Sequence, residues 1–302
     1  PLWSRPATGH NLCFSLYPRC MAQETRTQGR SIVSVDWLRQ HIDDPDVVVL
    51  CASMGNPIRS HQVAIPGAIV ADLESDFSDA SSPLPHTAPQ NATAVFENVG
   101  VSDSSTVVVY DRHGMMCAAR VWWLARLAGL SSVAVLDGGL PAWIAAGGET
   151  SASVQAQSRG RITASENRHL LTDMRGVERA AARSYGVIVD ARSAGRFAGV
   201  EPEPRDGLVA GHIPGSVNLP YTDVVDDNGL LKTPEELQTL VESVVGSARE
   251  LTMTCGSGVS ACLIALAAWE AGYRDVVVYD GSWSEWGRPG PGQALRDLKT
   301  TL

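Results

Sequence analysis

The chain has 302 residues, 44% hydrophobic and 19% charged, with a formal net charge of −9. That length accommodates two domains of average size, and the acidic balance excludes nucleic acid as a general partner. No apolar run approaches the roughly 20 residues that a membrane-spanning helix requires, so no membrane role is expected.

Residues 1–29 read as an N-terminal extension unlike the rest. Residues 1–23 carry Arg5 and Arg19, no acidic residue and no steady helical period. They are either transit-like, being basic and acid-poor, or appended upstream sequence with Met21 as the natural start. The lack of an amphipathic stripe in residues 1–20 favours the second. Beyond them, short β-branched runs alternate with helical stretches. Residues 47–50 and 107–110 are apolar runs of strand length in the first half. Residues 186–190, 216–219, 251–254 and 276–279 are continuous apolar strands in the second, of the kind buried in a parallel sheet. Residues 234–245 and 261–271 have helical length and spacing, and Thr233 before Pro234, with Glu235 and Glu236 in the first turn, supplies a helix start. Strands alternating with helices predict an α/β fold with helices on both faces of a mainly parallel sheet.

The chain repeats itself once. Ile65-Pro66-Gly67-Ala68 parallels Ile213-Pro214-Gly215-Ser216, and the strand before Asp111 parallels the strand before Cys255. Asp137-Gly138-Gly139, with Trp143 beyond, parallels Asp280-Gly281-Ser282 with Trp286. The three offsets are 148, 144 and 143 residues, so one domain of about 120–145 residues has been duplicated. The expected organisation is a first domain at 30–148, a linker rich in Ser, Ala, Gln and Gly at 149–166, a second domain at 167–290 and a tail at 291–302.

The six cysteines are Cys13, Cys20, Cys51, Cys117, Cys255 and Cys262. They form no CxxC pair and no Cys/His ligand spacing, so neither a disulfide framework nor a metal site is indicated, and a reducing compartment is expected. That compartment is the cytoplasm, or the mitochondrion if residues 1–20 are a transit segment. One cysteine stands apart. Cys255-Gly256-Ser257-Gly258-Val259-Ser260 links a strand to a helix, where unpaired backbone N–H groups and the helix dipole lower a thiol pKa and stabilise an anion on sulfur. Its glycines let backbone amides curl around a small anion. A buried, inert cysteine is the competing reading.

CGSGVSA (255–261), DGSWSEW (280–286), GRFAGVEPEPRDG (195–207), GHIPGSVNLP (211–220), RVWWLARLAG (120–129) and LDGGLPAW (136–143) together resemble the tandem-domain rhodanese superfamily, and within it the 3-mercaptopyruvate sulfurtransferases. The resemblance covers roughly residues 30–290. It implies two tandem rhodanese-like domains, the first inactive because Asp111 holds the repeat position of Cys255. A carboxylate cannot attack sulfur and carry a persulfide. Sulfur would pass from a small donor through a Cys255 persulfide to a thiol acceptor, such as thioredoxin or a small dithiol, or to cyanide, with no cofactor. The amides of Gly256, Ser257, Gly258, Val259 and Ser260 would cradle the sulfur anion.

The same resemblance places Ser257, His86 and Glu74 in a proton relay, with glutamate where some relatives have aspartate. It places Arg196 and Arg205 on the carboxylate and keto oxygen of the substrate, a task suited to arginine's planar, permanently charged fork. Ion pairing with Glu201, Glu203 or Asp206 is the alternative for both. Thiosulfate enzymes of this superfamily carry basic residues after the cysteine. Gly256 and Ser257 are neutral, so mercaptopyruvate is the favoured donor, with thiosulfate the alternative and a non-catalytic binding module a weaker one. A phosphatase cradle would end in arginine, where this chain has Ala261. Asp190 and Arg192 are expected to brace the site by ion pairing, and His212 to stabilise a turn. Trp122, Trp123, Trp143, Trp283 and Trp286 are expected mostly in the core, with Trp283 able to face the cleft. Cys262 is expected to be buried two helical turns beyond Cys255.

Overall fold

A computed structural model describes residues 30–182 and 186–290; the N-terminal extension and the tail at 291–302 lie outside the described residues. The first half runs β1 (Ile32–Val33), α1 (Val35–His41), β2 (Val47–Ser53), α2 (Ile58–Gln62), β3 (Ile69–Asp72), α3 (Ala92–Asn98), β4 (Thr106–Asp111), α4 (Met116–Leu127), β5 (Val133–Leu136) and α5 (Gly139–Ala145). The second runs β6 (Leu171–Thr172), α6 (Met174–Ala182), β7 (Gly186–Asp190), α7 (Ala194–Ala198), β8 (Val217–Asn218), α8 (Pro234–Val245), β9 (Glu250–Thr254), α9 (Ser260–Glu270), β10 (Asp275–Tyr279) and α10 (Ser282–Trp286). Both halves are α/β.

Each half holds one five-stranded sheet, ordered β1-β5-β4-β2-β3 and β6-β10-β9-β7-β8. Every pairing is parallel. Adding five to each strand of the first order gives the second, so the duplication read in the motifs is also a duplication of topology. Parallel strands need covered faces, and separate apolar clusters lie on the two sides. Leu38 and Trp143 pack on one face of the first sheet, and Val177, Trp283 and Trp286 on the matching face of the second. The other faces share a single core that runs through α4 and α9.

Those two helices form the seam between the halves. They are apolar around almost their whole circumference: Val121, Trp122, Trp123 and Leu124 of α4 and Leu263, Ile264, Ala265 and Leu266 of α9 are all buried. A helix hydrophobic on every side has to be enclosed, and here each lies between its own sheet and the other helix. Reciprocal contacts flank the seam. Asp280 Oδ2 accepts Ala88 N–H at 2.8 Å, and Asp137 Oδ1 accepts Leu231 N–H at 2.9 Å. Both members of each pair are related by the 143-residue offset, so the halves meet as a pseudo-twofold pair, as identical subunits do in an isologous dimer.

Local signals and observed elements agree closely in the second half. Thr233 accepts from Glu236 N–H, the Glu236 side chain accepts from Thr233 N–H, and Pro234 opens α8. The strand expected at 216–219 is shorter: Val217 and Asn218 are in register with Val189 and Asp190 of β7, and the bond from Leu219 N–H to Asp190 O, at the end of β7, closes the ladder. Truncating the seam should be costly. Leu266→Ala is expected to lower unfolding stability by about 2–5 kcal/mol, the usual range for a buried leucine, read by denaturant titration.

Candidate active site

Both sheets end at the same kind of strand-to-helix turn, and the two turns have diverged. In the first half, Asp111 closes β4 and its carboxylate folds over the start of α4. Oδ2 accepts Cys117 N–H at 2.7 Å and Ala118 N–H at 3.0 Å, and Oδ1 accepts His113 N–H at 2.8 Å. The side chain therefore fills its own amide cradle. Burial still pushes the carboxyl group up from its ordinary range, against these donors.

In the second half the equivalent position is Cys255, 2% exposed at the end of β9. Among the described residues, none accepts from the N–H groups of Gly256, Ser257, Gly258, Val259 or Ser260. These donors sit where the N-terminus of α9 favours negative charge. The loop is held from behind by α10. Cys255 N–H donates to Ser282 Oγ at 3.2 Å, Trp283 N–H donates to Cys255 O at 2.9 Å, and Ser284 N–H and Oγ both donate to Gly256 O. Gly258 has φ +77°, and a Cβ there would lie 2.9 Å from Asp280 O. Only glycine fits that position without strain.

The first half reaches across to this loop. Ser257 Oγ lies 3.0 Å from His86 Nδ1, and His86 Nε2 lies 3.2 Å from Glu74 Oε1. A carboxylate can only accept, so Nε2 carries the ring proton and Nδ1 accepts the Ser257 hydroxyl proton. Arg205 Nη2 donates to Ser257 Oγ at 3.4 Å, and Gly55 N–H to Glu74 Oε1 at 3.0 Å. Burial, outweighing Glu74, holds the His86 pKa below its ordinary 6.5, with Arg205 and Arg120 adding to the effect. Hydrogen bonds from His86 and Gly55 overcome partial burial and lower that of Glu74. His86 also adopts φ +56°, a left-handed conformation unusual for a residue with a side chain and typical of functional sites.

Both expected arginines approach the loop. A Cβ on Gly256 would lie 3.1 Å from Arg196 Nη2 and 3.8 Å from Arg205 Nη1, so the glycine leaves room for two guanidinium groups. Arg196 is also ion-paired, with Nη2 at 2.6 Å from Glu203 Oε2. Glu203 binds Arg192 as well, and Arg192 donates to Asp190 through Nε and Nη2. Arg192 and Asp190 are buried beneath the site. His212 stacks on Phe197 with ring centroids 4.0 Å apart and pairs with Phe197 O. Trp283 does not face the cleft: it is 1% exposed, donates to Val209 O and lies under Arg192. Cys262 is buried and donates to Gly258 O.

Sequence reasoning missed the group that joins these parts. Arg120, on α4, is fully buried. Its Nη2 donates to His86 O at 2.6 Å and to Asp280 Oδ1 at 2.7 Å, and its Nη1 donates to Gly258 O at 3.4 Å. One side chain thus holds the backbone of the relay histidine, a cradle glycine and the aspartate that receives Ala88. Burial works against its charge, but Asp280 prevails and its pKa is raised. The signal was present as one of two arginines, with Arg126, in an otherwise apolar helical run, since arginine is almost never fully buried without a partner.

A cysteine among free backbone amides at the carboxyl end of a parallel sheet, beside a hydrogen-bonded Ser257–His86–Glu74 chain that joins two duplicated domains, is the arrangement of a rhodanese-type site. The sequence model of the Rhodanese-like domain matches residues 34–146 and again 174–288, and the chain belongs to the rhodanese family. It is 38% identical over 275 residues to the 3-mercaptopyruvate sulfurtransferase of Rattus norvegicus, covering 85% of this chain and 92% of that one. To the Escherichia coli (strain K12) 3-mercaptopyruvate sulfurtransferase it is 36% identical over 266 residues, covering 84% and 94%. It is also 37% identical over 278 residues to the thiosulfate sulfurtransferase of Rattus norvegicus, covering 87% and 93%. Among solved structures it is similar to SseA of Escherichia coli, a 3-mercaptopyruvate sulfotransferase, with TM-score 0.74, 34% identity and coverage of 84% and 99%.

The Arg120–Asp280 pair yields a stability test. Asp280→Asn or Arg120→Met leaves one buried partner uncompensated and is expected to cost about 3–5 kcal/mol. Arg120→Met combined with Asp280→Asn should cost less than the sum of the two single changes, as measured by a double-mutant cycle in denaturant.

Proposed function

We propose that this chain transfers the sulfur of 3-mercaptopyruvate through a Cys255 persulfide to a thiol or to cyanide, releasing pyruvate. The observation that carries this reading is the Ser257–His86–Glu74 chain of hydrogen bonds beside a loop with no basic side chain of its own. Thiosulfate leaves as sulfite and needs no proton delivered to carbon. Mercaptopyruvate leaves as an enolate and does. Identity alone does not choose between the donors, since relatives named for each are similarly alike.

Cys255 gives its proton through Ser257 to His86, and the Glu74 carboxylate stabilises the imidazolium. The thiolate attacks the sulfur of the donor; an S–S bond forms, the C–S bond breaks, and its electron pair goes to the enolate of pyruvate. The proton returns from His86 through Ser257 to carbon, completing the methyl group. Cys255 is left as the persulfide, its charge stabilised by the N–H groups of Gly256, Ser257, Gly258, Val259 and Ser260. An acceptor thiolate then attacks the outer sulfur, the S–S bond breaks, and Cys255 is restored; cyanide leaves as thiocyanate.

Arg205 and Arg196 bind the substrate carboxylate and keto oxygen, with Glu203 holding Arg196 in place. In this reading residues 167–290 are the catalytic domain and residues 30–148 an inactive one that supplies the relay. The acceptor is a small dithiol or thioredoxin. The compartment is the reducing cytoplasm, or the mitochondrion if residues 1–20 act as a transit segment. No described helix is long and apolar enough to cross a membrane.

With cyanide as acceptor, pyruvate release from 3-mercaptopyruvate is expected to exceed thiocyanate formation from thiosulfate; the reverse order overturns the donor assignment. Cys255→Ser should abolish both. The relay works only with His86 neutral at rest, and its pKa lies below 6.5. The kcat/KM for mercaptopyruvate should therefore fall on an acid limb below that value. His86→Gln should remove the limb and lower the rate by about 100-fold or more, the usual worth of a proton-transfer group.

A further inference from the structure

A second cationic site lies at the other end of the α4–α9 seam. Arg126 is six residues beyond Arg120 on α4, about 9 Å along the helix, and it borders a cleft of about 460 Å³ between the halves. Its guanidinium carbon sits 3.7 Å from the ring centroid of Trp269 on α9, 4.8 Å from Trp122 and 5.5 Å from Trp123. Arg274 lies 4.2 Å from the same Trp269 ring, so one indole carries two guanidinium groups.

Arg120 and Arg192, the arginines buried in the core, each hold carboxylates, whereas Arg126 is half-buried. Among the described residues, none accepts a hydrogen bond or ion pair from Arg126, and its Nη1 is buried without a partner. Burial, with Arg274 repelling it, pushes its pKa down to about 10. A half-buried cation against three indoles, with its Nη1 buried and unpaired, is suited to an anionic partner. The lining suits an amphiphile, combining the apolar Leu130, Val133 and Leu170 with the polar Arg126, Arg30 and Asn167.

We propose that this cleft is a binding site for a small organic carboxylate, separate from the active site, in which the carboxylate pairs with the Arg126 fork and the apolar part lies against Leu130, Val133 and Leu170. A planar carboxylate matches the guanidinium bidentately. The occupant would bridge α4 and α9 and brace the seam that positions Arg120. The assignment stands independently of the sulfur-transfer reading.

The test is a titration of the full chain with benzoate, using benzamide as the uncharged isostere. It is followed by calorimetry and by the indole N–H resonances of Trp122, Trp123 and Trp269. Benzoate is expected to bind saturably and to move these resonances, and benzamide to do neither. Arg126→Met should weaken binding about tenfold or more, the worth of one charge-assisted hydrogen bond. Arg126→Lys, which keeps the charge and loses the fork, should weaken it less. Arg205→Gln, in the active site, should leave it unchanged. Equal binding of benzamide, unmoved indole resonances, or benzoate affinity insensitive to both Arg126 variants would overturn the proposal.

Discussion

The structure depends on one buried ion pair, Arg120 with Asp280. Removing two charges from water is costly, and such a pair persists only where further hydrogen bonds complete it. Arg120 has several: His86 O and Gly258 O accept from its two terminal nitrogens, only Nε being left without a partner, while Asp280 also receives Ala88 N–H. These contacts cross the seam between the halves. The pair therefore fixes how the first half sits on the second, and with it the distance from His86 to Ser257. Because the groups it holds are backbone atoms of the relay and the cradle, a small movement of the halves would be felt directly in the hydrogen bonds of the site.

Duplication explains why such a seam exists, and divergence explains what it now does. Two copies of one α/β unit meet through related contacts, Asp137 with Leu231 N–H and Asp280 with Ala88 N–H. Arg120 breaks that symmetry, since the matching position on α9 is the apolar Ile264. The cradles diverge in the same sense. Asp111 satisfies its own helix terminus with a fixed carboxylate, whereas no described residue accepts from the corresponding amides after Cys255. The first domain has a carboxylate where the second has a thiol, and it carries His86 and Glu74 to the Cys255 loop.

Much of this was legible in the sequence because it rests on local chemistry. The capping box at Thr233, the apolar strands ahead of Asp111 and Cys255, and the near-constant offsets between motifs all follow from short-range rules. Ser257, His86 and Glu74 were paired by resemblance alone, because nothing local in the stretch around His86 announces a partner 171 residues away. Arg120 was missed since its neighbours, Val121, Trp122, Trp123 and Leu124, read as helix core. The orientation of Trp283 was misjudged for a related reason: the indole packs under Arg192, and that contact is set by tertiary structure. Long-range electrostatics leave little trace in local pattern.

The central claim is that Cys255 carries the transferred sulfur and that the first domain's relay serves its formation from a keto-acid donor. The most direct measurement is the mass of the Cys255 peptide after mixing the protein with 3-mercaptopyruvate in the absence of an acceptor, compared with the pyruvate released in the same mixture. The account predicts a gain of one sulfur atom on Cys255 alone, equal in amount to the pyruvate, and its loss when cyanide is added. Pyruvate released without sulfur on Cys255, or sulfur found instead on Cys262 or Cys117, would contradict it.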